Sequence, residues 1–144
     1  MIRFLYRLLK LFIASDSDST LPATVDAHEP LTRFIFSSEN FAHTKGVVKP
    51  KAFLPDGNGE TSVFRVSSLG SNQIWEIGNK IRKEKVKARG SVVTGTVRRI
   101  GLQVNSAPEE HPRHAIIVGW PKEKHAKIML AVELSKKASL HVQS

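Results

Sequence analysis

The residues predict a single small α+β domain, a mostly antiparallel sheet with two packed helices over about 71–83 and 121–138. Three patterns carry this. Residues 61–67 alternate with period two, two stretches repeat apolar residues at helical spacing, and short β-branched runs lie between them.

In chain order, TRFIF (32–36) is short, aromatic and β-branched, and predicts a strand. Residues 37–60 are rich in turn formers, among them Ser37, Ser38, Gly46, Pro50, Pro55 and the turn 56–59. Val47, Val48, Ala52, Phe53 and Leu54 within that stretch predict packed extended structure. TSVFRVS (61–67) puts Ser62, Phe64 and Val66 on one face of a strand and Thr61, Val63 and Arg65 on the other. Ser71 or Asn72 then caps a helix whose Ile74, Ile77 and Ile81 share a face beside Trp75. Residues 91–99 and 102–104 read as strands, bent at Gly95 or Gly101. A polar loop (105–113) leads to a short apolar strand at 115–118. Pro121 suits a first helical turn, and Ala126, Leu130, Leu134 and Ala138 recur every four residues after it.

Charge divides the chain into three parts. Residues 1–14 carry Arg3, Arg7 and Lys10 on one helical face and Leu5, Leu8, Leu9 and Phe12 largely opposite. This predicts a basic amphipathic segment; an anionic membrane surface or a protein groove suits it, while the plainer and favoured reading is a frayed or packed terminal helix or an upstream start codon. It is too short and too charged to span a bilayer, and Lys10 interrupts it as a signal peptide, so a cytoplasmic protein is expected. Residues 15–30 hold four acids and no Lys or Arg, and read as an acidic flexible linker. Residues 31–144 form the basic domain, with 19 Lys and Arg against 9 acids. An excess of that kind suits polyanion partners or serves solubility. The absence of cysteine excludes disulfide scaffolds, thiolate metal sites and a cysteine nucleophile.

The densest cationic run is Lys80, Arg82, Lys83, Lys85, Lys87 and Arg89, opposed only by Glu84. Its alternation from 85 to 89 can line one edge of an extended segment with charge, the arrangement that follows a phosphate backbone. Arg98 and Arg99 extend the candidate anion-binding set. The plainer reading is a solvated helix end. A second candidate pairs His43 with His114 as acid and base, with Lys51, Arg65 and Arg113 stabilising charge, as in metal-independent phosphodiester cleavage. His111 and His114 beside Glu109 and Glu110 lack a compact ligand spacing, so no metal and no cofactor is expected. No Walker loop, serine elbow or dinucleotide fingerprint occurs. Trp75 and Trp120 could stack on bases, although their apolar surroundings favour the core.

The stretches VKPKAFLP (48–55), ETSVFR (60–65) and RHAIIVGWP (113–121), closed by an Ala/Leu-rich helix, resemble a group of small uncharacterised bacterial proteins. The resemblance spans about 31–140 and leaves out residues 1–30. It implies no fold, activity or site residue. By analogy it suggests an accessory component of a defence or toxin–antitoxin type operon. The expected function is therefore nucleic-acid or other polyanion binding. The alternatives are the RNase-like His43/His114 enzyme and a protein-interaction subunit docking through residues 1–14.

Overall fold

The computed structural model describes residues 21–144. The expected amphipathic segment 1–14, and residues 15–20 of the expected linker, lie outside the described residues.

The elements run β1 (Pro30–Ile35), β2 (Phe41–Ala42), β3 (Val47–Val48), β4 (Thr61–Arg65), α1 (Ser71–Ile81), β5 (Ala88–Val93), α2 (Thr94–Arg99), β6 (Gln103–Ser106), β7 (His114–Val118), α3 (Lys124–Lys137) and β8 (Ser139–Val142). Six strands form one sheet in the order β6-β7-β4-β1-β5-β8, and β2 pairs with β3 separately. Every pairing is antiparallel. The α+β class with two main helices stands as read from the residues. Since β4 and β5 both run antiparallel to β1, the link through α1 crosses over that strand.

Strand alternation gives the sheet two unlike faces. Leu31, Ile35, Val63, Ala88, Val92, Val104, Ala115 and Ile117 point to one side and pack with Val48, Phe53 and Leu134. There α3 lies against the turn Pro50–Phe53, β3 and β5. On the other side Phe34, Phe64 and Val66 pack with Ile74 of α1 and with Val86. Helix and sheet approach closely at Gly78, where a Cβ would lie 2.6 Å from both Phe34 Cδ1 and Val86 Cγ2. Among the described residues no helix is long and apolar enough to cross a membrane.

Four expectations are corrected. The N-cap of α1 is Gly70, whose amide donates to Gln73 Oε1 at 2.8 Å, and the helix ends at Ile81 rather than 83. The second helix starts at Lys124 rather than 121, because the Glu123 carboxylate accepts from the amides of His125 and Ala126. The strand predicted over 91–99 stops at Val93, and 94–99 is helical. There the Thr94 amide and hydroxyl both donate to the Glu29 carbonyl, and the Gly95 amide donates to the Ala27 carbonyl. These contacts turn the chain and override its β propensity. Finally, residues 21–29 are not a flexible linker. Val25 is 1% exposed within the main core, and its carbonyl accepts from Arg98 Nη2 at 2.7 Å. The domain boundary expected at 31 moves back to include them. β8 was not anticipated.

That segment is held by a buried ion pair. Arg65 Nε and Nη2 donate to the two oxygens of Glu29 at 2.8 and 2.7 Å, and Nη1 donates to the Pro22 carbonyl. The side chains are 1% and 9% exposed. Burial alone would raise the Glu29 pKa. The hydrogen bonds from Arg65 and from the Asp26 amide outweigh it and hold the carboxyl below its ordinary 4.5. The folded-state pKa is thus lower than the unfolded one. The pair stabilises the fold above the ordinary glutamate range and loses that contribution as pH falls through it and below. Glu29→Gln is expected to lower stability by about 3 kcal/mol at neutral pH, because it strands a buried guanidinium. It should also flatten the acid limb of the melting profile between about pH 5 and 3. Thermal melts across that range test both, and an unchanged acid limb would refute the role of Glu29.

Candidate functional site

The strand β5 lies between β1 and β8, with Ala88, Gly90 and Val92 turned into the main core. Alternation sends Arg89, Ser91 and Val93 to the other side, beside α1. The ladder continues one residue upstream: the Lys87 amide donates to the Ile35 carbonyl, and the Gln143 amide donates to the Lys87 carbonyl. Lys87 therefore shares the face of Arg89. Before it, Lys80, Arg82, Lys83 and Lys85 are all exposed across the end of α1 and the turn into β5. One apolar side chain holds this cationic segment to the domain. Val86 is fully buried, and its amide donates to Asn79 Oδ1 at 2.9 Å. Lys80 pairs with Glu76 at 3.0 Å, Arg82 stacks over the Phe36 ring at 4.7 Å, and Lys85 Nζ donates to the Ser144 carbonyl oxygen.

Arg89 differs from these. It is 7% exposed, and no carboxylate pairs with it among the described residues. Its Nη1 donates to Thr32 Oγ1 at 2.8 Å and Ser91 Oγ at 2.9 Å. The guanidinium lies 5.4 Å from the centre of the Trp75 ring. Burial lowers its pKa, yet a guanidinium keeps its charge at neutral pH. His141 faces Arg89 across the β5–β8 pairing. Burial, and then the Arg89 charge, hold its imidazole below 6.5.

The remaining expected anion-binding residues are dispersed. Arg65 and Arg113 are each 1% exposed. Arg65 is committed to Glu29, and Arg113 Nη1 donates to the carbonyls of Arg65 and Ser67. Both are structural, because a buried guanidinium must satisfy its donors inside the protein. Arg98 anchors residue 25. Arg99 is exposed at the end of α2. Lys51 is exposed on the α3 side, 3.6 Å from Glu39. Trp120 packs on the main core and donates to the Ile117 carbonyl.

His43 and His114 do not meet. His43 is exposed in the turn between β2 and β3. That hairpin packs through Val48 against Gly90 on the α3 side. His114 projects from β7 to the opposite face, against Phe64. The acid–base pair expected of these two imidazoles is not formed. His114 instead binds a residue that the sequence did not single out. Its Nε2 lies 2.7 Å from Ser62 Oγ, and its Nδ1 lies 3.0 Å from the Ala107 carbonyl. A carbonyl only accepts, so Nδ1 carries the proton and Nε2 accepts from the Ser62 hydroxyl. The available signal was the place of Ser62 in the alternation, a polar residue on the face of Phe64 and Val66. His114 also lines an open groove of about 410 Å³ with Glu60, Asn105, Ser106, Glu109 and Ile116. Among the described residues no group of three or more His, Asp or Glu is arranged to hold a metal ion.

Comparison with protein-family models, with curated proteins and with solved structures returns no match.

The Arg89–His141 proximity has a direct readout. In an NMR pH titration the His141 imidazole is expected to titrate below 6.5. Arg89→Gln should raise that midpoint only part of the way, because burial is the larger cause. A midpoint insensitive to Arg89→Gln would show that the two charges do not interact.

Proposed function

We propose that this domain binds polyanions, nucleic acid first among them, along the cationic segment 80–87. The observation that carries the reading is the exposure of Lys80, Arg82, Lys83, Lys85 and Lys87 within eight residues. Glu84 is the one acid among them, and Glu76 is the one carboxylate paired with them among the described residues. Cations arranged in this way neutralise phosphates and release counterions, so affinity falls steeply with salt and carries little base preference. Arg82 lies over the half-buried Phe36 ring, which holds its guanidinium plane so that a base can stack on the outer side. Binding of the full chain to labelled single-stranded RNA and duplex DNA, measured at low and moderate salt, tests the reading. Lys85→Glu with Lys87→Glu is expected to weaken binding to all sequences alike and to reduce the salt slope by about two. Unchanged affinity in that double variant would remove the reading.

The Ser62–His114 pair supports a second reading, hydroxyl-nucleophile catalysis. A serine hydroxyl donating to an imidazole whose other nitrogen is fixed by a carbonyl is the arrangement of an activated nucleophile. In such a step Ser62 Oγ attacks an acyl or phosphoryl centre, and its proton passes to His114 Nε2. A fluorophosphonate probe reads this. The Oγ–P bond forms, the P–F bond breaks, fluoride leaves and His114 takes the proton. Mass spectrometry is expected to find the adduct on Ser62, formed about 100-fold more slowly in His114→Ala. No adduct at Ser62 would mean that the pair is only a cross-strand hydrogen bond.

A further inference from the structure

Arg89 poses a problem of charge. The residue is 7% exposed, lies on the strand next to the β8 edge of the sheet, and has no carboxylate beside it among the described residues. Two other buried guanidiniums sit in different surroundings. Arg65 has Glu29, and Arg113 is buried against backbone carbonyls. Arg89 has two neutral hydroxyls and the face of Trp75. Of its three nitrogens only Nη1 is bonded. Nε is buried with no partner, whereas Nη2, also without a hydrogen bond, is not sealed in the same way. A buried charge left uncompensated is costly, and Nη2 is the nitrogen through which an anion can reach it.

The surroundings suit an oxyanion. Both hydroxyls accept from Nη1, so each keeps its own proton to donate. Thr32 Oγ1 and Ser91 Oγ are 3.4 Å apart, and one can donate to the other. Thr32 is fully buried and Ser91 is half-buried, which leaves the Ser91 hydroxyl as the one able to turn outward. Lys87 shares the face two residues along β5, and His141 stands opposite Arg89 on β8. Trp75 closes the α1 side and holds the guanidinium plane in place.

We propose that Arg89, Ser91 and Thr32, flanked by Lys87 and His141, form a discrete subsite for a phosphate group. It deepens the polyanion reading and rests on it for the ligand class. Exposed lysines supply a diffuse field, whereas this subsite seats one tetrahedral oxyanion on Nη2 and the Ser91 hydroxyl. The bound group would be one phosphate of a nucleic-acid backbone, and inorganic phosphate is its simplest probe.

Trp75 serves as the reporter. The chain has two tryptophans, so Trp120→Phe leaves Trp75 alone. Inorganic phosphate is titrated into the full chain at constant ionic strength set with chloride. The expected result is a saturable change in Trp75 emission, with matching amide NMR shifts at Ser91 and His141. Ser91→Ala should weaken it about tenfold, the loss of one hydrogen bond to a charged group. Arg89→Gln should abolish it, and the half-buried Ser91→Ala variant keeps the test valid if Arg89→Gln does not fold. A single-stranded oligonucleotide should give the same Trp75 response. Arg82→Glu with Lys83→Glu, away from the subsite, should weaken the oligonucleotide and spare the phosphate response. A drift equal in chloride and phosphate, or a saturable response untouched by Ser91→Ala, overturns the subsite. Oligonucleotide binding with no change at Trp75, Ser91 or His141 overturns it while the polyanion reading survives. Saturable phosphate binding with no oligonucleotide binding upholds the subsite and overturns the polyanion reading.

Discussion

Arg65 ties together three stretches of chain that are distant in sequence, 22–30, 65–66 and 113, and through Glu29 a fourth at Thr94. Its side chain pairs with Glu29 and donates to the Pro22 carbonyl. Its carbonyl accepts from Arg113 Nη1, and its amide donates to the Arg113 carbonyl at 2.7 Å. Next to it, the Val66 amide donates to the Pro30 carbonyl. Glu29, held from its side chain, uses its carbonyl to stop β5 and start α2 at Thr94. One buried ion pair therefore sets where β1 begins, where β5 ends and how the loop before β7 returns. A pair this deep offers little net stability over an apolar replacement, but removing either partner is severe.

The second constraint is coverage. A helix with its side chains is about 10 Å wide, whereas six strands at about 4.8 Å spacing make a sheet more than twice as broad. On one face α3, the β2–β3 hairpin and the turn Pro50–Phe53 share the task of covering it. On the other, α1 and Val86 pack on Phe34, Phe64 and Val66, and the His111 ring meets Phe64 edge-on. Outside that cluster the same face carries polar residues, with Arg89 under Trp75 beside Thr32, Ser91 and His141 toward β8, and Ser62 and His114 toward β6. Both polar groups share the α1 face of the sheet.

Net charge overstates how basic the surface is. Arg65, Arg89 and Arg113 count toward the total of +9, yet all three are interior. Arg98 reaches back to the Val25 carbonyl. Exposed lysines also lie at 45–51, 122–124 and 136–137, and the densest group is the turn that Val86 anchors, so local clustering is the physically relevant quantity for a polyanion.

Periodicity in the residues was enough to determine the fold class, the strands at 61–65 and 114–118, and both main helices within a few positions. Burial of alternate or every-fourth side chains acts on neighbours in sequence, and so it is written locally. Exposure of the cluster at 80–87 was legible for the same reason, since a dense run of charge has nowhere to go but the surface. The rest depended on contacts between distant segments. Residues 21–29 of an acidic stretch that reads as linker pack on the domain because Glu29 finds Arg65 thirty-six residues away. A β-branched run becomes α2 because Thr94 and Gly95 donate to carbonyls of that stretch. His114 meets Ser62 and not His43 because the sheet lies between the two histidines, and Arg89 lies beneath Trp75 because α1 packs on the face to which Arg89 points. Tertiary structure alone decided these, because a side chain's partner across a sheet is fixed by strand order and register, which no local pattern encodes.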